Sequence, residues 1–218
     1  MSIAAVVFDL DGVIIDSEEV WEEVRRAYVA EHDRTFLPDT QQRMMGMSTA
    51  EWSRHLAEDV GVGQPAATVA EEVLGRMAGR YRAALPVIPG SVDAVRRIAA
   101  HYPVALASSS ARILIDQVLA SAGLTGVFRT TLSTEEVPRG KPSPDVYLEA
   151  ARRLGLDPVD CAAVEDSSNG LRAAAAAGMA VVCVPHGVYP PAEDALAMTD
   201  LVIGSLDELT VEAIAKLR

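Results

Sequence analysis

Residues Ala4 to Phe8 form an apolar run of strand length that stops at two carboxylates, Asp9 and Asp11, and then Gly12. On extended backbone, side chains two apart face the same side, so Asp9 and Asp11 converge while Leu10 points away. Gly12 lets the chain turn just past them. Two acids held together repel, and such a pair requires a cation or a shared proton. A plain turn would also use Asp-Gly, so segments further along the chain must decide between the two roles. An EF-hand calcium loop is disfavoured, because a strand precedes the acids and the glycine comes too early.

Three later segments end in groups that suit the same site. Pro103 to Ala107 is a strand-like run ending in Ser108, Ser109 and Ser110. Leu132 to Gly140 is a polar loop leading to Lys141, after which Ser143 and Pro144 fit an N-cap and a first helical position. Cys161 to Val164 is a buried strand ending in Glu165 and Asp166, then Ser167-Ser168-Asn169-Gly170. Bland roles exist for each. Ser110 is expected to cap the next helix, Lys141 could be a surface lysine, and Glu165-Asp166 could be acids opening a helix. Their order argues otherwise, since ligands of an open parallel sheet bind beyond the carboxyl ends of its strands.

These segments resemble the haloacid dehalogenase superfamily phosphatases with a helical cap, in particular the beta-phosphoglucomutase and sugar-phosphate phosphatase group. The matching residues are Asp9 to Glu18, Ser108-Ser109, Gly140 to Tyr147, and Glu165 to Gly170. The resemblance implies that Asp9 attacks phosphorus and forms an aspartyl-phosphate. Asp11 would protonate the leaving oxygen and then activate water. It implies Mg²⁺ held by the Asp9 carboxylate, the Asp11 backbone carbonyl and Asp166, with Glu165 nearby. Ser108 and Lys141 would hold the phosphoryl oxygens, Ser109 through its backbone N–H. The charges agree: a carboxylate facing a phosphomonoester dianion needs a lysine and a divalent ion to reach neutrality.

Residues 17–84 show helical signals and no convincing strand. Asp16 with Glu19 reads as a capping box opening a helix whose stripe is Val20, Trp21, Val24, Ala27 and Tyr28. Ser48 with Glu51 is a second box, followed by Trp52, Leu56 and Val60, and Thr68 to Tyr81 continues the pattern. Trp21 and Trp52 read as packing anchors. The segment is a helical bundle inserted in an α/β core made of residues 1–16 and 85–218, with Val13 to Ser17 and Pro86 to Gly90 as hinge connectors. The resemblance names it a cap that closes over the site, with the region of Gly46 contacting substrate.

The rest alternates helix and strand, with helices at Ser91–Ala100, Ile113–Ala122, Val146–Leu154 and Leu171–Ala177 and strands at Val181–Val184 and Leu201–Ile203. That pattern implies a Rossmann-like, doubly wound parallel sheet covered on both faces, with the first strand central by resemblance. A chain of 218 residues, half of them apolar, suffices for one such core plus an insertion. A net charge of −12 argues against nucleic acid and anionic membranes as partners. It leaves a small phosphate ester as the ligand of an expected monomer. Cys161 and Cys183 fall in apolar runs and read as buried free thiols of a reducing cytoplasm. Asp9 interrupts the apolar start, so no signal peptide or membrane span is expected.

Departures from the mutases guide the substrate class. Where these carry a histidine, this chain has Trp21. Thr49 stands at their phosphate-binding cap arginine, and Ala111-Arg112 replace Lys-Asn after the serines. Hydrolysis of sugar or polyol phosphates therefore leads. A mutase would need Arg112 or Arg54 as the replacement cation. A dehalogenase would need neither Asp11 nor the acid pair, and a non-catalytic descendant should have lost one of these groups.

Overall fold

The computed structural model describes residues 2–44, 47–185 and 189–217. Its core is a six-stranded sheet of β1 (Ala5–Phe8), β2 (Val104–Ser108), β3 (Thr130–Ser133), β4 (Cys161–Glu165), β5 (Ala180–Cys183) and β6 (Leu201–Val202). The spatial order is β3-β2-β1-β4-β5-β6 and every neighbouring pair is parallel. As expected, β1 is central, with Val7 in register with Ala105 of β2 and Ala163 of β4.

Both faces of the sheet are covered, and the two-residue period of the strands divides the core accordingly. On one face Val6, Phe8, Leu106 and Val164 pack with α5 (Ser91–Ala99), α6 (Arg112–Ser121) and α10 (Val211–Ala215). On the other, Val7, Ala105 and Ala163 meet α7 (Asp145–Leu154) and α8 (Ser168–Ala176). Small side chains dominate that face, so its helices can approach the sheet closely. Cys161 and Cys183 are buried there without a disulfide. The short α9 (Glu193–Leu196) precedes β6.

Strand β3 is absent from the sequence expectation, which takes Leu132 onward as loop. Thr130-Thr131-Leu132-Ser133 offers only one large apolar side chain, yet its β-branched residues suit an edge strand and it pairs along β2.

Between β1 and β2 lie α1 (Glu18–Glu31), α2 (Thr40–Met44), α3 (Thr49–Arg54), a π-helical turn at His55–Asp59 and α4 (Ala66–Ala83). The described part of 17–84 contains no strand. The box at Ser48 forms, with Glu51 Oε2 accepting from Ser48 N at 2.8 Å and Ser48 Oγ at 2.7 Å. The start of α1 lies one residue later than expected. Ser17 occupies the N-cap position of α1 and makes no side-chain cap bond. The α1 stripe is also rotated from its expected position. Trp21, Val24, Arg25, Tyr28 and Val29 are buried while Ala27 is exposed.

The two connectors to this helical segment run side by side. Asp16 N donates to Pro86 O at 2.8 Å and Ile88 N to Ile14 O at 3.0 Å, and Ile15 bridges Val87.

Candidate active site

The carboxyl ends of β1, β2 and β4 converge with Lys141 at one cleft. Strand β1 keeps its pairing up to Asp9, whose N–H donates to Val164 O at 3.0 Å. The chain then turns tightly, with Ile14 N and Ile15 N both donating to Leu10 O. Gly12 has φ +75°, and a Cβ there would stand 1.8 Å from Asp166 Oδ2. The glycine thus serves the turn and makes room for an acid from the neighbouring strand.

Asp9, Glu165 and Asp166 are buried, and each offers an oxygen within 4.8 Å of the others. Lys141 is buried among them. Its Nζ lies 2.6 Å from Glu165 Oε1, 3.0 Å from Asp9 Oδ1 and 3.0 Å from Ala107 O. Burial alone would lower the ammonium's pKa, but the charges of Asp9 and Glu165 reverse this and hold it above its ordinary value. Glu165 is fully engaged. Tyr147 Oη donates to Oε1 at 2.6 Å, while Oε2 accepts from Asp166 N, Ser167 N and Ser167 Oγ at 3.1–3.3 Å. It sits on the first turn of α8, where a Cβ on Gly170 would lie 1.9 Å from its carboxyl carbon.

Asp11 faces the same cleft with a ring of hydroxyls around it. Ser17 Oγ donates to Oδ1 at 2.6 Å, and Ser110 Oγ donates to Oδ2 at 2.7 Å. Ser108 is completely buried. Its hydroxyl stands 3.3 Å from Asp11 Oδ2 and accepts from Ser110 N at 3.0 Å. Ser109 and Ser110 line the cleft; Ser108 does not. The N-cap of α6 is Ala111, so Ser110 orients Asp11 and does not cap that helix. The N-cap before α7 is Pro144, and Ser143 Oγ donates to Asp145 Oδ1 at 2.7 Å.

The acid cluster fits a hard divalent cation. Burial first, and then the charge of Glu165, raise Asp9 to about 8 and Asp166 well above the ordinary carboxylate range. Asp9 Oδ1 is buried without an aligned hydrogen bond, Lys141 lying beside it but off axis. Three buried carboxylates thus face one ammonium, and such an excess of oxygen donors is what this kind of ion binds. Asp9 and Asp166 present open oxygens, whereas both oxygens of Glu165 are already taken by the lysine, the tyrosine and the start of α8.

The opposite wall comes from the helical segment. Glu18, Trp21, Arg25, Met44, Thr49 and Trp52 line it. The two indoles pack on each other at 5.8 Å between centroids, so they anchor the helices and face the cleft as well. Arg25 is a cleft residue that the sequence pattern does not single out. Neither proposed replacement cation lines this cleft among the described residues. Arg112 bonds Thr131, Asp116 and Glu136 on the outside of the core, and Arg54 lines an adjoining groove that shares Thr49 and Lys141 with the cleft. Gly46 lies outside the described residues.

Parallel strands delivering carboxylates to a buried lysine beneath a helical wall define an enzyme of phosphate esters. The chain belongs to the haloacid dehalogenase-like hydrolases, whose family model matches residues 3–178. It is 34% identical over 218 residues to hexitol phosphatase B of Escherichia coli strain K12, covering 96% of each chain. It is 30% identical to the beta-phosphoglucomutase of Bacillus subtilis strain 168, covering 95% of this chain and 92% of that one. In fold it matches the crystal structure of beta-phosphoglucomutase from Clostridium difficile with a TM-score of 0.84, at 23% identity, covering 97% and 95% of the two chains. It is a hydrolase of the phosphatase type. No helix among the described residues is long and apolar enough to cross a membrane.

Proposed function

We propose that the protein is a Mg²⁺-dependent phosphatase of sugar or polyol monophosphates that works through an aspartyl-phosphate on Asp9. The supporting observation is the division of labour between Asp9 and Asp11. Asp9 is buried beside Lys141, whereas the Asp11 carboxyl is held at the cleft by Ser17 and Ser110.

In the first half-reaction an Asp9 oxygen bonds to phosphorus, the ester P–O bond breaks, and Asp11 gives its proton to the leaving alkoxide. In the second, Asp11 takes a proton from water as that water attacks phosphorus, and the Asp9 carboxylate is released. Lys141, fixed by Glu165, neutralises charge on the phosphoryl oxygens, with Ser109 at the cleft wall beside it. Asp9, Asp166 and the Asp11 carbonyl would hold Mg²⁺, which supplies charge neutralisation between two anions. Glu165 acts through Lys141 and Asp166. Residues 17–84 would form a cap that excludes bulk water, swinging on the paired connectors at Ile15 and Val87.

Hexitol phosphatase B as a relative favours a polyol or sugar leaving group. A mutase reading retains one support of its own, because Arg25 gives the cap wall a cation at a position other than Arg112 or Arg54. The discriminating experiment supplies β-glucose 1-phosphate with a trace of glucose 1,6-bisphosphate and follows both products. Release of inorganic phosphate with little glucose 6-phosphate supports the phosphatase; isomerisation that outruns phosphate release establishes the mutase.

A further inference from the structure

Arg25 is a buried guanidinium whose donors are mostly unused. Only 4% of the residue is exposed. Its Nη1 donates to Gln41 Oε1 at 3.2 Å, and its Nε is buried with no hydrogen-bond partner. The guanidinium carbon stands over the rings of Trp21 and Trp52, 4.3 Å and 5.1 Å from their centroids. Burial lowers its pKa to about 10, an effect opposed by the charge of Glu18, so it stays protonated at neutral pH. A buried donor left unpaired costs about 1–3 kcal/mol, so one kept at a cleft wall calls for an oxygen from water, an ion or a ligand. Gln41, also buried, passes the contact on: its Nε2 donates to Glu18 Oε2 at 2.9 Å. Arg25 and Glu18 both line the cleft that holds Asp9.

We infer that Arg25 and Glu18, linked behind the cleft by Gln41, form the subsite for the substrate's uncharged polyol tail, with Arg25 as the residue that sets leaving-group specificity. The inference deepens the proposed phosphatase and rests on that reading. Charge decides between a hydroxylated tail and a second anion. The cleft is lined by four carboxylates, Asp9, Asp11, Glu18 and Asp166, against two cations, Lys141 and Arg25. One divalent ion brings this lining to neutrality, and a single phosphate dianion then makes it negative. A second anionic group would add charge with no cation left over, since Arg25 is already balanced through Gln41 by Glu18. A chain of hydroxyls matches instead, because its oxygens accept from the guanidinium and its protons can go to the carboxylate. The indole faces suit the C–H faces between those hydroxyls.

The test is calorimetric binding to Asp9→Asn protein, which needs no turnover, alongside kcat/KM in the active enzyme. Ligands are sorbitol 6-phosphate, inorganic phosphate and glucose 1,6-bisphosphate. Arg25→Met should weaken sorbitol 6-phosphate by at least about tenfold relative to inorganic phosphate, as for a site that hydrogen-bonds a substrate hydroxyl. In turnover, the ratio of kcat/KM for sorbitol 6-phosphate over ethyl phosphate should fall likewise, with KM carrying the change. Arg25→Lys keeps the charge but loses the planar fork, and serves if the methionine variant does not fold; about a fivefold loss is expected. An unchanged ratio in both variants overturns the subsite. So does tighter binding of the bisphosphate than of sorbitol 6-phosphate that Arg25→Met abolishes, which would make this an anion site. Arg25-dependent binding without hydrolysis would instead refute the phosphatase and leave the subsite standing.

Discussion

Lys141 donates to Glu165 across 2.6 Å, with both side chains buried. That contact makes Glu165 the anchor of the lysine, and it separates the two acids at the end of β4 into different tasks. Removing Glu165 takes away the nearer of the two carboxylates on a buried ammonium and the acceptor of the Tyr147 hydroxyl. Glu165→Ala should therefore destabilise the fold by about 3–5 kcal/mol, measured by denaturant unfolding. Glu165→Gln preserves the shape. It should lower kcat by about 10- to 100-fold and raise the Mg²⁺ concentration for half-activation less than Asp166→Asn does. The reverse order of Mg²⁺ dependence would make Glu165 the principal ligand.

Asp9 is an acid whose pKa rises from 3.8 to about 8 on folding, chiefly by burial. Over that window the folded chain holds a proton that the unfolded chain has lost. The metal-free protein therefore loses stability as pH climbs from about 4 to about 8. A divalent cation binds the ionised form and offsets the loss. The rise in Tm on adding Mg²⁺ should accordingly be larger at about pH 8 than at about pH 5. Thermal melts at both pH values check this, and an equal or smaller rise at the higher pH would contradict it.

Gly12 combines a left-handed φ of +75° with the close approach of Asp166. Gly12→Ala should cost about 1–2 kcal/mol from backbone strain. It should also displace the Asp166 carboxylate, so that activity falls by about 100-fold or more even in folded protein. Circular dichroism together with a Mg²⁺ titration of turnover separates the two effects.

Ser110 Oγ is the closer of the two serine hydroxyls on Asp11 Oδ2. Ser110→Ala should lower kcat by about tenfold, because Asp11 loses its closer hydroxyl partner, while leaving Tm within about 1 °C. A kcat unchanged in folded Ser110→Ala protein would show that this hydroxyl does not orient Asp11.

The strands that carry the site can be read from the sequence because each is an apolar run ending abruptly in polar groups. That pattern locates Asp9, Asp11, Glu165 and Asp166 together, whereas Lys141 follows a polar loop and joins them only through the order of the segments and the family resemblance. The hydroxyl assignments are less legible. Ser17 and Ser110 sit next to helix starts, where a serine's local role is capping, and only the folded chain shows both turned to Asp11. Arg25 is hidden by its type, since an arginine within an amphipathic helix reads as its solvent face. One signal is present: Arg25 lies four residues after Trp21 and three before Tyr28, on the stripe that is buried. Strand β3 escapes because two threonines and a serine surround its single leucine, and its identity depends on pairing with β2.

If Asp9 is the nucleophile, turnover by Asp9→Asn protein reports it. The amide keeps the size of the side chain and removes the attacking charge, so the protein should fold normally. With saturating Mg²⁺ and a sugar or polyol phosphate, the rate of phosphate release should drop by at least about 10³-fold from wild type. Phosphate release near the wild-type rate from folded Asp9→Asn protein would contradict the aspartyl-phosphate mechanism.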